Sequence, residues 1–268
     1  MIKDVIIEID GVVYTIPKEI TITQYGEVMR RITMSETELE KSYDLIQVLM
    51  DIPYQVLREL DPTKLVELSI YLQNTINQND LDYIKTFTYN DVDYGGLDLT
   101  KMSFGEYIDL ANYIKNEASI YINISKICSI LYRPITSRKK DKFSIKEYNI
   151  EEHIEQSIVF KDLPVKYFIG SFNNLYTYIK QIKKEFVVLF GDEDEQDSYL
   201  PKEEHKDEDE TNLPWYKMIM SLSNEDFTKI DYVTGRPVVE CFNHLSYIRL
   251  KNEELKRQHQ ERQNKILN

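Results

Sequence analysis

Pro164–Val187 reads PVKYFIGSFNNLYTYIKQIKKEFV. Val165, Phe168, Phe172, Leu175, Ile179, Ile182 and Phe186 follow alternating steps of three and four residues. That period is helical, and it predicts one helix of about 25 residues, about 37 Å long at 1.5 Å per residue. Ile169, Tyr176, Tyr178 and Val187 widen the stripe, which suits a core helix covered on more than one side. The same heptad steps leave an intermolecular coiled coil open. Phe168, Phe172, Leu175 and Ile179 are therefore candidates for core and for partner contact alike.

N-terminal to this helix, β-elements alternate with helices. Ile2–Pro17 reads as a hairpin with Asp10-Gly11 at its turn. Thr23 is a candidate cap for a first helix, and Ser35-Glu36-Thr37-Glu38 has the spacing of a capping box before the stripe Leu39, Tyr43, Leu45, Ile46, Leu49. Pro53 and Asp61-Pro62 start two more helices. A second β-element is expected over Leu81–Tyr89 and Leu97–Met102, around a turn at 90–96. Ser103 and Glu106 then repeat the capping spacing ahead of Tyr107, Ile108, Leu110 and Ile114, and Ala118–Leu131 carries another helical stripe ending at Arg133-Pro134. Arg138–Lys142 reads as an exposed loop.

On the C-terminal side, Asp192–Glu210, DEDEQDSYLPKEEHKDEDE, holds eleven Asp or Glu against two Lys. The net of −9 is most of the whole chain's −13. Such a run cannot bury enough apolar surface to offset its ordering entropy and reads as a solvated linker. It divides the chain into a mainly helical α+β body over 1–190, an acidic disordered linker over 191–211 and a C-terminal helical segment over 212–268. In that last segment Trp215–Leu222 forms a short amphipathic helix, Asn224 is a candidate cap, and Pro237 begins a long helix. Its apolar side stops near Leu250, and residues 249–265 carry a net of +3. The fold class is α+β and predominantly α-helical, with an N-terminal hairpin and a second small β-element packed on helices.

Composition narrows the chemistry. No apolar run is long enough to span a membrane, and MIKDVIIEID lacks the pattern of a signal peptide. Cys128 and Cys241 sit among apolar residues and read as buried free thiols of a reducing compartment, although spacing alone leaves a disulfide between them open. No Gly-Lys-Ser/Thr phosphate loop, GxSxG elbow or HExxH pair occurs, and His153, His205, His244 and His259 are isolated. Asp91, Asp93 and Gly96 imitate part of a calcium loop, but Gly95 and Met102 stand where ligands are needed. The expectation is a non-enzymatic protein with no cofactor, no metal site, no nucleic-acid partner and no membrane contact. Trp215, Tyr216 and Met218 are candidate anchors for a partner, since Trp and Tyr dominate binding hot spots.

Several segments together resemble a known family. IEIDGVVYTIPKEITITQYGEVMRRI followed by LIQVLMDIPYQVLRELDPTKLVELSIYL looks like the N-terminal module of tail assembly chaperones of tailed bacteriophages. Ile46, Leu49, Ile52 and Pro53 fill one family pattern, and Leu57 with Leu60 and Leu65 with Leu68 fill its repeated L-x-x-L spacing. Met50-Asp51 replaces the usual small-residue turn. MSFGEYIDLANYI, ISKICSILYRPI, FKDLPVKYFIGSFNNLYTYI and NEDFTKIDYVTGRPVVECFNHLSYIRLKNEELKRQ resemble virion-morphogenesis proteins of Bacteroidetes phages, including the crAss-like group. The resemblance implies a chaperone that binds a tape-measure or other tail protein in the cytoplasm of an infected bacterium. Two other readings stay open: a neck, connector or tail component of the virion that forms a ring as a homo-oligomer, and an acidic inhibitor that mimics DNA.

Overall fold

The structure, a computed structural model, describes residues 6–77, 82–140, 142–191 and 213–267. The acidic run over 192–210, the first residues of the opening hairpin and Leu81 of the second β-element lie outside the described residues. The elements begin with β1 (Ile6–Ile9), β2 (Val12–Thr15), α1 (Ile22–Met34), α2 (Glu38–Met50), α3 (Tyr54–Glu59) and α4 (Pro62–Asn77). β3 (Thr86–Tyr89), β4 (Val92–Gly96), α5 (Phe104–Tyr113), α6 (Glu117–Leu131), β5 (Tyr132–Lys139) and β6 (Lys142–Ile145) follow. The chain then forms α7 (Ile150–Val159), α8 (Lys166–Glu185), α9 (Val187–Phe190), α10 (Leu213–Leu222), α11 (Ile230–Thr234) and α12 (Val238–Leu267). The protein is thus an α+β chain, mostly helical, with a two-stranded and a four-stranded antiparallel sheet.

These elements gather into two compact units that interleave along the sequence. Met1–Gly96 and Asn116–Asn174 form the first, and Leu97–Lys115 and Leu175–Asn268 form the second. The boundary passes through α8, whose residues to Asn174 belong to the first unit and the remainder to the second. The seam read from its sequence is buried at Val165, Phe168, Leu175, Ile179, Ile182 and Phe186 and half-buried at Phe172, so this is a core helix.

In the first unit, Asp10 and Gly11 take positive φ (49° and 79°), as a two-residue hairpin turn requires, and pair Ile9 with Val12. Thr21, not Thr23, caps α1: its hydroxyl accepts from the Gln24 amide, and the Gln24 side chain accepts from the Thr21 amide, each at 3.1 Å. Thr23 instead donates to the Lys161 carbonyl. One helix later the box is Thr37 with Glu40, while Ser35 closes α1 and bonds the Asp44 carboxylate. α1 lies against α6 so closely at Gly26 that a Cβ there would sit 2.6 Å from the Tyr121 carbonyl oxygen. Ile46, Leu49, Ile52, Leu57 and Leu65 are buried here, Leu60 and Leu68 are half-buried, and Pro53 is exposed.

The four-stranded sheet has the order β3-β4-β5-β6. Its first turn is Asn90-Asp91 (φ 49° and 61°), so β4 begins at Val92, and the stretch expected to be a strand over Leu97–Met102 is a single 3₁₀ turn at Leu99–Lys101. α6 runs straight into β5 at Tyr132. The basic stretch read as a loop is the tip of the β5–β6 hairpin, with Lys140 at φ 54°. Phe87 stacks on Tyr94 and on Tyr167 (ring centroids 5.4 and 4.1 Å) and meets Tyr132 edge-on, which ties sheet to helix.

The second unit is built around Phe242. Its ring lies 5.1 to 5.8 Å from those of Tyr107, Phe190, Phe186 and Phe104, and Trp215 meets Phe104 and Tyr107 edge-on. Ser103 and Glu106 form the expected capping box at the start of α5. Asn224 caps nothing: it and Glu225 are left-handed (φ 55° and 61°), and Asp226 accepts from the Thr228 amide to open the next 3₁₀ turn.

A single device recurs in both units. In the first, Thr21 bridges Pro164, with Ile22 N–H donating to Leu163 and Val165 N–H to Ile20. In the second, Ser103 bridges Pro237, with Phe104 N–H donating to Arg236 and Val238 N–H to Met102. Each bridge fastens the start of a boxed helix to the start of a long Pro-led helix. The local pattern is shared: TITQYGEV (21–28) and SFGEYIDL (103–110) each place a hydroxyl cap, Gln or Glu three residues on and Tyr four residues on. Tyr25 packs on Phe168, and its counterpart Tyr107 packs on Phe242.

Candidate functional site

Where β5 leaves α6, the first unit has a half-open pocket of about 340 Å³. Arg133 at the start of β5, Lys146 and Tyr148 from the stretch after β6, and Glu152, His153 and Gln156 of α7 line it. The capping side chain of Asn149, which accepts from the Glu151 and Glu152 amides, starts α7 at its edge. Gln156 Nε2 donates to the Tyr132 carbonyl at 2.6 Å, and Lys146 pairs with Glu152 at 2.8 Å. The Arg133 guanidinium, buried, lies 5.9 Å from the Tyr148 ring centre.

His153 is the chemically distinctive group. It is buried on the inner side of α7, with Nδ1 2.6 Å from the Ser129 hydroxyl oxygen, which also lies 2.9 Å from the Lys126 carbonyl. A hydroxyl has one hydrogen. Donating it to the carbonyl and accepting from Nδ1–H satisfies both contacts and leaves Nε2 with a lone pair. Burial, reinforced by the charges of Lys126 and Arg133, pushes the imidazole down to about 4, so it is neutral at pH 7. The pair fastens α7 to α6 through a neutral hydrogen bond.

The sequence-derived partner residues fall into two groups. Trp215, Phe168, Leu175 and Ile179 are buried within their own units, Phe172 and Met218 are half-buried, and Tyr216 is half exposed. The structure thus leaves Tyr216 as the aromatic of that set most open to a partner. It also shows three aromatics that sequence reasoning passed over: Phe227 (70% exposed), Tyr232 (67%) and Tyr247 (60%). All three belong to the second unit, where α10 packs on α11 and α12. A signal existed for Tyr247, which lies off the buried stripe Val238, Cys241, Phe242 and Leu245 of α12. Tyr and Phe are enriched in the cores of protein contact surfaces.

Cys128 and Cys241 are both free and buried, and burial raises both thiols, Cys241 to about 11. Among the described residues no three His, Cys, Asp or Glu side chains converge as metal ligands would, and no helix is long and apolar enough to cross a membrane. Comparison of the chain with models of protein families, with curated proteins and with solved structures finds no match.

Proposed function

We propose that the protein is a non-enzymatic tail assembly chaperone of a tailed bacteriophage, which binds a tape-measure or other tail protein during virion morphogenesis. The observation that carries the reading is the exposed aromatic set of the second unit, Tyr216, Phe227, Tyr232 and Tyr247, on a chain whose hairpin-and-helix segments resemble that family. Long tape-measure proteins offer amphipathic helices, and exposed Tyr and Phe are suited to hold their apolar faces, with the Tyr hydroxyls left in water. An acidic segment of net −9 favours keeping such a complex in solution.

Two measurements test it together. Co-expression with the tape-measure protein of the same phage should keep that protein soluble and yield a defined complex. Quantitative mass spectrometry should find this chain abundant in infected-cell lysate and absent from purified virions. A fixed copy number per virion would refute the chaperone and favour the ring component instead.

A further inference from the structure

Two helical surfaces are uncovered and opposite in charge. α7 turns Ile150, Ile154 and Ile158 outward at steps of four, all exposed, with exposed Glu151 and Glu155 beside them, while His153 and Ser157 occupy its buried side. An exposed stripe of three isoleucines on a regular helix is what a helix with a missing partner looks like. The second surface is the end of α12. Every side chain from 251 to 265 is exposed, the net charge over 249–265 is +3, and Tyr247, Leu250 and Leu255 are its exposed apolar groups.

We infer that the end of α12 in one copy of the chain docks on the α7 face of a second copy. Charge selects the pairing. Two α12 ends side by side would set +3 against +3, whereas α7 presents Glu151 and Glu155 to Lys251 and Arg262, which share the helix face of Tyr247 and Leu255. Helix stability points the same way. An isolated helix of about 15 residues is marginal in water. This one is held over its exposed length by contacts internal to the helix, Arg249–Glu253 at 3.3 Å, Gln258–Glu254 at 2.8 Å and Arg257–Glu254 at 2.6 Å. A docked face supplies the packing such a helix otherwise lacks. The contact joins two different surfaces, so it is heterologous, and repeated copies extend head to tail or close into a ring. α7 spans about 15 Å at 1.5 Å per residue, so the interface is small and the association depends on concentration and salt.

Sedimentation velocity of the full chain, from about 1 to about 200 µM at about 0.05 M and about 0.5 M NaCl, tests it. The expected result is a mass that rises above the monomer with concentration at low salt and falls back at high salt. Ile154→Glu, at an exposed position, should keep the thermal midpoint and weaken association about tenfold or more. Glu151→Lys with Glu155→Lys should weaken it too, and adding Lys251→Glu with Arg262→Glu should restore it. A monomer under all conditions overturns the inference, as does association that survives Ile154→Glu or removal of residues 251–268. Docking of the tail on its own molecule would give a concentration-independent monomer and overturns it equally.

Discussion

His153 couples proton binding to the seating of α7. A histidine in the unfolded chain titrates near 6.5 and this one near 4, so between those values the unfolded chain takes a proton that the folded chain refuses. Stability is fully present above about pH 6.5 and declines as pH falls toward 4. At about 1.4 kcal/mol per unit, the loss by pH 5 is about 2 kcal/mol. Lys126 and Arg133 add to the effect, and Glu152 and Glu147 on the pocket side do not reverse it. His153→Gln isolates this contribution from that of the carboxylates. In urea titrations its stability deficit against the parent should shrink by about 2 kcal/mol from pH 7 to pH 5; a constant deficit would show that the folded imidazole takes up its proton as readily as the unfolded one. Trp215 and Tyr216 make a second residue-scale contrast. Adjacent in sequence, they face opposite ways, one against Phe104 and Tyr107 and the other toward solvent. Trp215→Ala should cost about 3–5 kcal/mol of stability, and Tyr216→Ala should stay within about 0.5 kcal/mol while weakening tail-protein binding.

At the scale of elements, the boxed helices decide what could be read in advance. A hydroxyl three residues before Glu or Gln is a local signal with a local cause, and so Ser103–Glu106 was legible. The same rule applied two residues early at Ser35 missed Thr37–Glu40, because both Ser35 and Thr37 can accept a helix amide, and Ser35 instead closes α1 by donating to the Arg31 carbonyl and the Asp44 carboxylate. Asp10-Gly11 announced a turn because Gly reaches positive φ without cost; Asn90-Asp91 did so less plainly, and the second strand was placed too late. β5 and β6 were hidden because TSRKKDKFS has no apolar alternation to mark an edge hairpin. The repeated bridge was invisible too, since it joins residues more than a hundred positions apart. Thr21→Ala and Ser103→Ala each remove an acceptor from one copy of that device. Each should lose about 1 kcal/mol in chemical denaturation, and the double variant should lose the sum within about 0.5 kcal/mol, because the two caps share no partner. A markedly non-additive pair would mean that the two bridges form one cooperative element.

At the scale of the whole molecule, the order of the chain and the order of its cores disagree. Reading the acidic run as the divider makes 1–190 a natural body. Yet Phe104 and Tyr107, which lie within that stretch, pack on Trp215 and Phe242, which lie beyond it. A chain ending at residue 190 would keep α5 and lose the rings that cover it, along with the Ser103–Pro237 bridge and both of its hydrogen bonds. Large exposed aromatic faces of that kind drive association or local unfolding. The acidic run itself has no comparable claim on the core, since its sequence offers only Tyr199 and Leu200 for burial. Two variants separate these roles. Replacing 192–210 by a neutral Gly/Ser stretch of equal length should leave the thermal midpoint within about 2 °C. Ending the chain at 190 should broaden or abolish the near-ultraviolet signal of α5's aromatics and raise dye binding to exposed apolar surface, with the first unit's transition retained. If the shortened chain instead kept a sharp, complete transition, Phe242 would not be the centre of a core, and the partition into interleaved units would fall with it.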